Sequence, residues 1–176
     1  MDLREKLIES KLLYDGKILK LRFDTVTLPD GELSTREIVE HPGAVAIVPI
    51  TADGRIVLVR QYRHAIGDLM LEIPAGKLDA GEDPLACAYR ELEEETGYSA
   101  GSLRYLSSVY TTPGFTNEKI HLYVAGQLCE TKQRTDNDEF INVEIYSCMQ
   151  IRSLIDTGVI CDAKTMLALL LSGVLS

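Results

Sequence analysis

The stretch GKLDAGEDPLACAYRELEEETGY, from Gly76 to Tyr98, constrains this chain more than any other. Asp83 suits an N-cap, Pro84 suits the first helical position where its missing N–H costs nothing, and Gly97 suits a left-handed C′ residue. The spacing predicts a helix over 84–96. At 3.6 residues per turn, Leu85, Ala88, Tyr89, Leu92 and the methyl of Thr96 form an apolar stripe expected to face the core. Glu91, Glu94 and Glu95 fall in one arc beside that stripe, with Glu95 nearest its edge. Carboxylates at i, i+3 and i+4 repel one another, and in the last turns the helix dipole disfavours them further. Arg90, four residues before Glu94, is the one cation near enough to answer. Two readings stand on this helix alone: an ordinary acidic surface, or oxygen ligands awaiting a hard divalent cation such as magnesium.

The rest of the chain bears on that choice. Its 176 residues, 45% hydrophobic, are enough for a full core. A charge of −9 with no basic cluster argues against a nucleic-acid partner, and an anionic phosphate substrate would need metal ions to bridge it to so acidic a protein. The opening MDLREKLIESK is charged where a signal peptide would be apolar, and the longest apolar run, 166–175, is about half a membrane span. A cytoplasmic protein with no membrane partner is expected. Cys87, Cys129, Cys148 and Cys161 show no paired spacing and are expected to be reduced and mostly buried. His41, His64 and His121 form no zinc pattern.

Alternation of apolar and polar residues predicts an antiparallel set over 11–41, turning at Asp15-Gly16 and Pro29-Asp30-Gly31. Buried strands are predicted at 44–50, 55–63 and 69–73, with others at 103–111, 119–125 and 141–147. Further helices are expected at 150–156 and at 162–171, the latter with Leu167, Leu170 and Leu171 on its apolar face. This order implies an α/β class with a mixed sheet and helices on both faces. It also leaves a small N-terminal antiparallel sheet at 1–41, ahead of a main domain at 42–176, with too little area to bury by itself: either it lies on the main domain or it pairs with a second subunit.

Gly76, Glu82 and the run Arg90-Glu91-Leu92-Glu93-Glu94-Glu95-Thr96-Gly97-Tyr98 resemble the Nudix box, GX5EX7REUXEEXGU, with Tyr98 where an aliphatic residue is usual. The match at seven fixed positions would arise by chance about once in 10⁸ windows, which overturns the acidic-surface reading. The resemblance implies the Nudix α/β/α sandwich over 42–172 and hydrolysis of a nucleoside diphosphate linked to another moiety. Carried over by position, it implies metal ligation by Glu91 and Glu95, by Glu94 directly or through water, and by the carbonyl of Ala75. Magnesium is the expected ion, with manganese as a substitute. Arg90 would hold the cluster in shape.

Pro113, fifteen residues beyond Tyr98 in TTPGF, resembles a mark of the ADP-ribose pyrophosphatase branch of Nudix hydrolases. So do TREIVEHPGAVAIVPI, VRQYR, EIPAGKL and the DAKT at 162–165. The branch implies ADP-ribose and water giving AMP and ribose 5-phosphate, with Arg60 and Arg63 as diphosphate contacts. Arg36, Glu37 and Gly114 would be further substrate contacts, and a homodimer is implied. The general base in this branch comes from a later acidic loop, here 135–140. Glu139 is the first choice, with Asp138 in reserve and Glu94 a further candidate, while Asn137 cannot accept a proton. Other nucleoside diphosphate sugars or NADH are rival substrates. A non-catalytic ADP-ribose sensor is the rival of a different class, and it would be expected to have lost box glutamates.

Overall fold

The computed structural model describes residues 2–175 and divides into two compact units, one comprising residues up to 43 together with 110–119, the other comprising 44–109 and 120 onward.

In the first unit, β1 (Lys6–Asp15), β2 (Lys20–Thr27) and β3 (Leu33–Glu40) form an antiparallel sheet in the order β1-β2-β3. The strand set thus begins five residues before the span predicted from alternation. Register places Ser10, Asp24 and Arg36 in one row. Asp24 is buried yet ionised, since Ser10 and Arg22 donate to it and hold its carboxyl below the usual range against the cost of burial. β1 is exposed along its whole length on both faces, including Leu7, Ile8, Leu12, Leu13 and Tyr14.

The second unit is built on β4 (Ala44–Pro49), six consecutive buried residues. β4 runs parallel to β9 (Lys119–Glu130) and antiparallel to β7 (Ala75–Lys77), in a four-stranded mixed sheet ordered β7-β4-β9-β8, where β8 is Tyr98–Tyr110. A second, antiparallel sheet has the order β10-β5-β6, from Ile141–Tyr146, Ile56–Arg63 and Asp68–Glu72. The expected mixed sheet is present, and a separate antiparallel ladder accompanies it: the chain leaves β4, makes an isolated bridge from Ile50 to Ile56, and starts that ladder there.

Alternation along β4 explains the layers. Ala44, Ala46 and Val48 pack with Ile56, Leu58, Leu71 and Ile73 of the second sheet. Ile151 of α2 (Cys148–Asp156) and Ala168 and Leu169 of α3 (Ala163–Ser172) complete that cluster. Val45 and Ile47 face the other way, onto Cys87, Ala88 and Leu92 of α1 (Pro84–Thr96). The mixed sheet is therefore covered by helices on both faces.

The ends of α1 follow the spacing. Asp83 accepts from the amides of Leu85 and Ala86, Pro84 opens the helix, and Gly97 sits at φ 70°. Its inward face differs from the predicted stripe. Cys87, Ala88, Leu92, Glu95 and Thr96 are buried, while Leu85 and Tyr89 are exposed. Cys87 and Ala88 are small enough to pack closely on Val45 and Ile47 of β4, so the helix turns that edge inward and carries Glu95 with it. In α3, likewise, Thr165, Ala168 and Leu169 are buried while Leu170 and Leu171 face outward. The cysteines also depart from expectation: Cys87 is buried, Cys148 half-buried, and Cys129 and Cys161 exposed, because the latter two lie near the end of β9 and just before the N-cap of α3. All four are free thiols.

Candidate active site

The turn of the helix inward brings Glu91 and Glu95 against β7, while Glu94 stays more exposed beside them. Glu95 is buried, and its carboxylate accepts from the amide of Ala75 at 2.9 Å. Burial pushes its carboxyl up to about 8 against the help of that amide, and the charges of Glu91 and Glu139 push the same way. Glu91 is also raised, first by burial and then, against the pull of Arg90, by Glu94 and Glu139. Gly76 leaves the room that Glu91 fills: a Cβ there would stand 1.8 Å from the Glu91 carboxyl carbon. Since that carboxylate is the free end of a flexible side chain, Gly76→Ala should cost stability only about 1 kcal/mol. It should nevertheless expel Glu91 from its place and lower turnover at least tenfold, which paired urea unfolding and steady-state rates would check.

Arg90 ties the cluster together. Its Nε and Nη2 grip both oxygens of Glu82 at 2.9 Å, while Nη1 donates to Glu91 at 2.7 Å and to Glu94 at 2.9 Å. Glu82 in turn accepts from the amide of Asp79, closing the loop ahead of the helix. These bonds, that from Arg90 foremost, hold Glu82 at about 2 despite some burial. Arg90 thus meets three carboxylates of the cluster at once. The part of Glu82 was legible only as a motif position, since its partner lies eight residues away.

The acidic loop is fastened to the end of α1. A helix terminus leaves carbonyls without partners, and here the loop supplies donors. The amide of Thr131 reaches Gly97, the amide of Arg134 reaches Glu94, and the Gln133 side chain reaches the carbonyls of Glu95 and Ile141. The next residues turn, with the Glu139 amide donating to Asp136 and the Thr135 hydroxyl to the Glu139 carbonyl. Glu139 is thereby the loop carboxylate whose charge acts on both Glu91 and Glu95. No residue spacing announces this fastening.

The pleat of β5 separates the two arginines assigned to the diphosphate. Arg60 lies on the face of Ile56 and Leu58 and forms an ion pair with Glu144 of β10. Arg63, on the opposite face, donates from Nε and Nη2 to both oxygens of Glu72 at 2.8 Å. The charge of Glu95 also acts on Arg63, after the stronger influence of Glu72. The structure brings Arg63, not Arg60, toward the carboxylates. In the first unit, Arg36 and Glu37 point to opposite faces of β3, and Arg36 pairs with Glu5. Gly114 lies in a turn where the amides of Phe115 and Thr116 donate to Thr112.

Glu72 was hidden in LMLEI, where a charge within an apolar strand is the available signal. It is buried, which opposes ionisation, yet bonds from Arg63 and the charge of Lys164 bring it down from 4.5 to about 2. A carboxyl depressed by folding stabilises above its unfolded value and loses that contribution as pH falls toward 2. The amount is roughly 3 kcal/mol. Urea unfolding between pH 5 and 2 should show it, and Glu72→Gln should flatten this part of the profile.

The donor set suits a hard cation. Glu91, Glu94 and Glu95 offer only carboxylate oxygens, with the Ala75 backbone beside Glu95 and a glycine that leaves room for Glu91. Among the described residues no three acidic, histidine or cysteine side chains stand as a ready-made ion cage, the glutamates here being engaged by Arg90 and the Ala75 amide. A cation entering would compete with Arg90 for Glu91 and Glu94.

Comparison with known proteins agrees with this geometry. Residues 40–169 match the NUDIX domain model, and residues 5–39 match the nucleoside diphosphate sugar hydrolase N-terminal domain. The chain is 43% identical to an ADP-ribose pyrophosphatase of Bacillus subtilis (strain 168), over 95% of this chain and 91% of that one. It is 45% identical to a methanol dehydrogenase activator of Bacillus methanolicus, over 93% and 90%. A crystal structure of an ADP compounds hydrolase shares the fold, with a TM-score of 0.86 at 23% identity, covering 98% of this chain and 95% of that one.

Proposed function

The chain belongs to the Nudix family, and from that premise we propose that it hydrolyses the pyrophosphate bond of ADP-ribose to AMP and ribose 5-phosphate with magnesium as its cation. The carrying observation is the packing of Glu95 and Glu91 of α1 against Ala75 and Gly76, with Arg90 bracing Glu91 and Glu94. Nudix hydrolases use a divalent cation. Glu91, Glu94, Glu95 and the backbone of Ala75 would hold it, and it would supply Lewis acidity toward the phosphate oxygens.

The chain's own residues carry the remaining work. Glu139 takes a proton from the attacking water, whose oxygen forms a new bond to phosphorus as the bridging P–O bond breaks. Arg63 offers charge to a non-bridging oxygen through Nη1, which has no partner among the described residues. Arg90 keeps Glu91 and Glu94 apart from each other's charge until substrate and cation arrive.

A related substrate is favoured by one observation, the match of residues 5–39 to an N-terminal domain of nucleoside diphosphate sugar hydrolases. A panel of ADP-ribose, GDP-mannose and NADH, with and without magnesium, separates the readings. ADP-ribose should give the highest kcat/KM, with equal yields of AMP and ribose 5-phosphate and no turnover in chelator. A higher kcat/KM for a sugar nucleotide would replace the substrate, and tight binding without turnover would make the protein a sensor.

We also propose a homodimer assembled through the first unit. Its edge strand β1 exposes Leu7, Ile8, Leu12, Leu13 and Tyr14, an apolar edge of the kind that monomers avoid. Sedimentation should give twice the chain mass, reduced to one chain by Ile8→Lys with Leu12→Lys. The free thiols suit a cytoplasmic, reducing location.

A further inference from the structure

We propose that Lys164 is a positioning residue for Arg63 in this reaction, acting through the buried carboxylate of Glu72; the inference rests on the diphosphate contact proposed above for Arg63. The DAKT segment begins α3, and each of its polar residues is committed. Asp162 caps the helix by accepting from the Thr165 amide at 2.9 Å and from the Thr165 hydroxyl. The same hydroxyl accepts from the amide of Ile73 at 3.0 Å, which fastens the helix start to the residue after Glu72. Lys164 then reaches back to Glu72 while its ammonium also meets Asp162 at 3.0 Å. A continuous chain of bonds thus runs from the cap of α3 to the guanidinium of Arg63.

Each link has a physical task. Glu72 is 1% exposed and cannot turn to solvent. With Arg63 alone, one buried anion would take up the whole of that cation's charge. Lys164 shares Glu72 at Oε2, the oxygen that Arg63 Nη2 also meets, so Arg63 keeps charge to offer beyond the pair. The two parallel bonds from Nε and Nη2 fix the guanidinium plane, and Lys164 fixes the carboxylate that fixes it. Arg63 is 39% exposed at its side chain whereas Lys164 is 14% exposed, so Lys164 acts from behind rather than at the substrate.

A double-mutant cycle of Lys164→Met and Arg63→Ala, with KM and kcat for ADP-ribose at saturating magnesium, tests this. Lys164→Met should raise KM about tenfold with kcat changed less than threefold, and Lys164→Arg should recover most of the loss. In the Arg63→Ala background, itself raised in KM, Lys164→Met should change KM less than twofold. An equal tenfold effect in both backgrounds would make Lys164 merely structural and overturn the inference while leaving Arg63 in place. An unchanged KM in Arg63→Ala alone would remove the diphosphate contact and the inference with it. Thermal unfolding of each variant, with Lys164→Gln in place of a methionine variant that fails to fold, keeps the comparison among folded proteins.

Discussion

Glu95→Gln is expected to lower kcat by roughly 10³-fold or more while leaving the fold intact. A cation's hold on developing phosphate charge is worth several kcal/mol, and each 1.36 kcal/mol is tenfold in rate. The fold should survive because the metal-free protein already favours a neutral side chain at this position. Burial raises the Glu95 carboxyl to about 8, so folding opposes its ionisation. As pH rises from 4.5 through 8 the unfolded chain releases this proton and the folded one retains it, and stability falls over that window. Glutamine removes the penalty and keeps an oxygen for the Ala75 amide. At pH 7 the metal-free variant should therefore melt at or above the wild-type temperature. Added magnesium should raise the wild-type melting temperature and not that of the variant. Retained turnover in the folded variant would mean that another group holds the cation.

Glu139→Gln should lower kcat by roughly 10²- to 10⁴-fold, the usual worth of a positioned base, with KM and magnesium binding near wild type. The separation is expected because the loop is held by its backbone and by Gln133, not by the Glu139 carboxylate. Single-turnover rates with bound magnesium and substrate isolate the chemical step. Wild-type rates there would remove Glu139 as base and return the role to Asp138 or Glu94.

What the sequence disclosed and what it hid follow from the range of the forces involved. The ends of α1 were legible because caps are local: Asp83, Pro84 and Gly97 act within one turn. The carboxylate cluster was legible because helical spacing alone brings Glu91, Glu94 and Glu95 into one arc. The inward face of α1 was not, because it depends on how closely Cys87 and Ala88 can approach β4. The pairing of Arg63 with Glu72 and Lys164 joins residues up to 92 positions apart, which no spacing rule connects. Arg60 and Arg63 looked alike as arginines on one strand, and only the pleat, read with the partners Glu144 and Glu72, tells them apart. The short β7 was missed since three residues carry no periodicity, yet it supplies the amide that meets Glu95.

The most direct test is anomalous diffraction from crystals soaked with manganese and a non-hydrolysable ADP-ribose analogue. An anomalous peak is expected within coordination distance of the Glu91 and Glu95 carboxylates and of the analogue's two linked phosphates. A peak elsewhere, or phosphates seated away from α1 with Glu95 still bound only to Ala75, would contradict it.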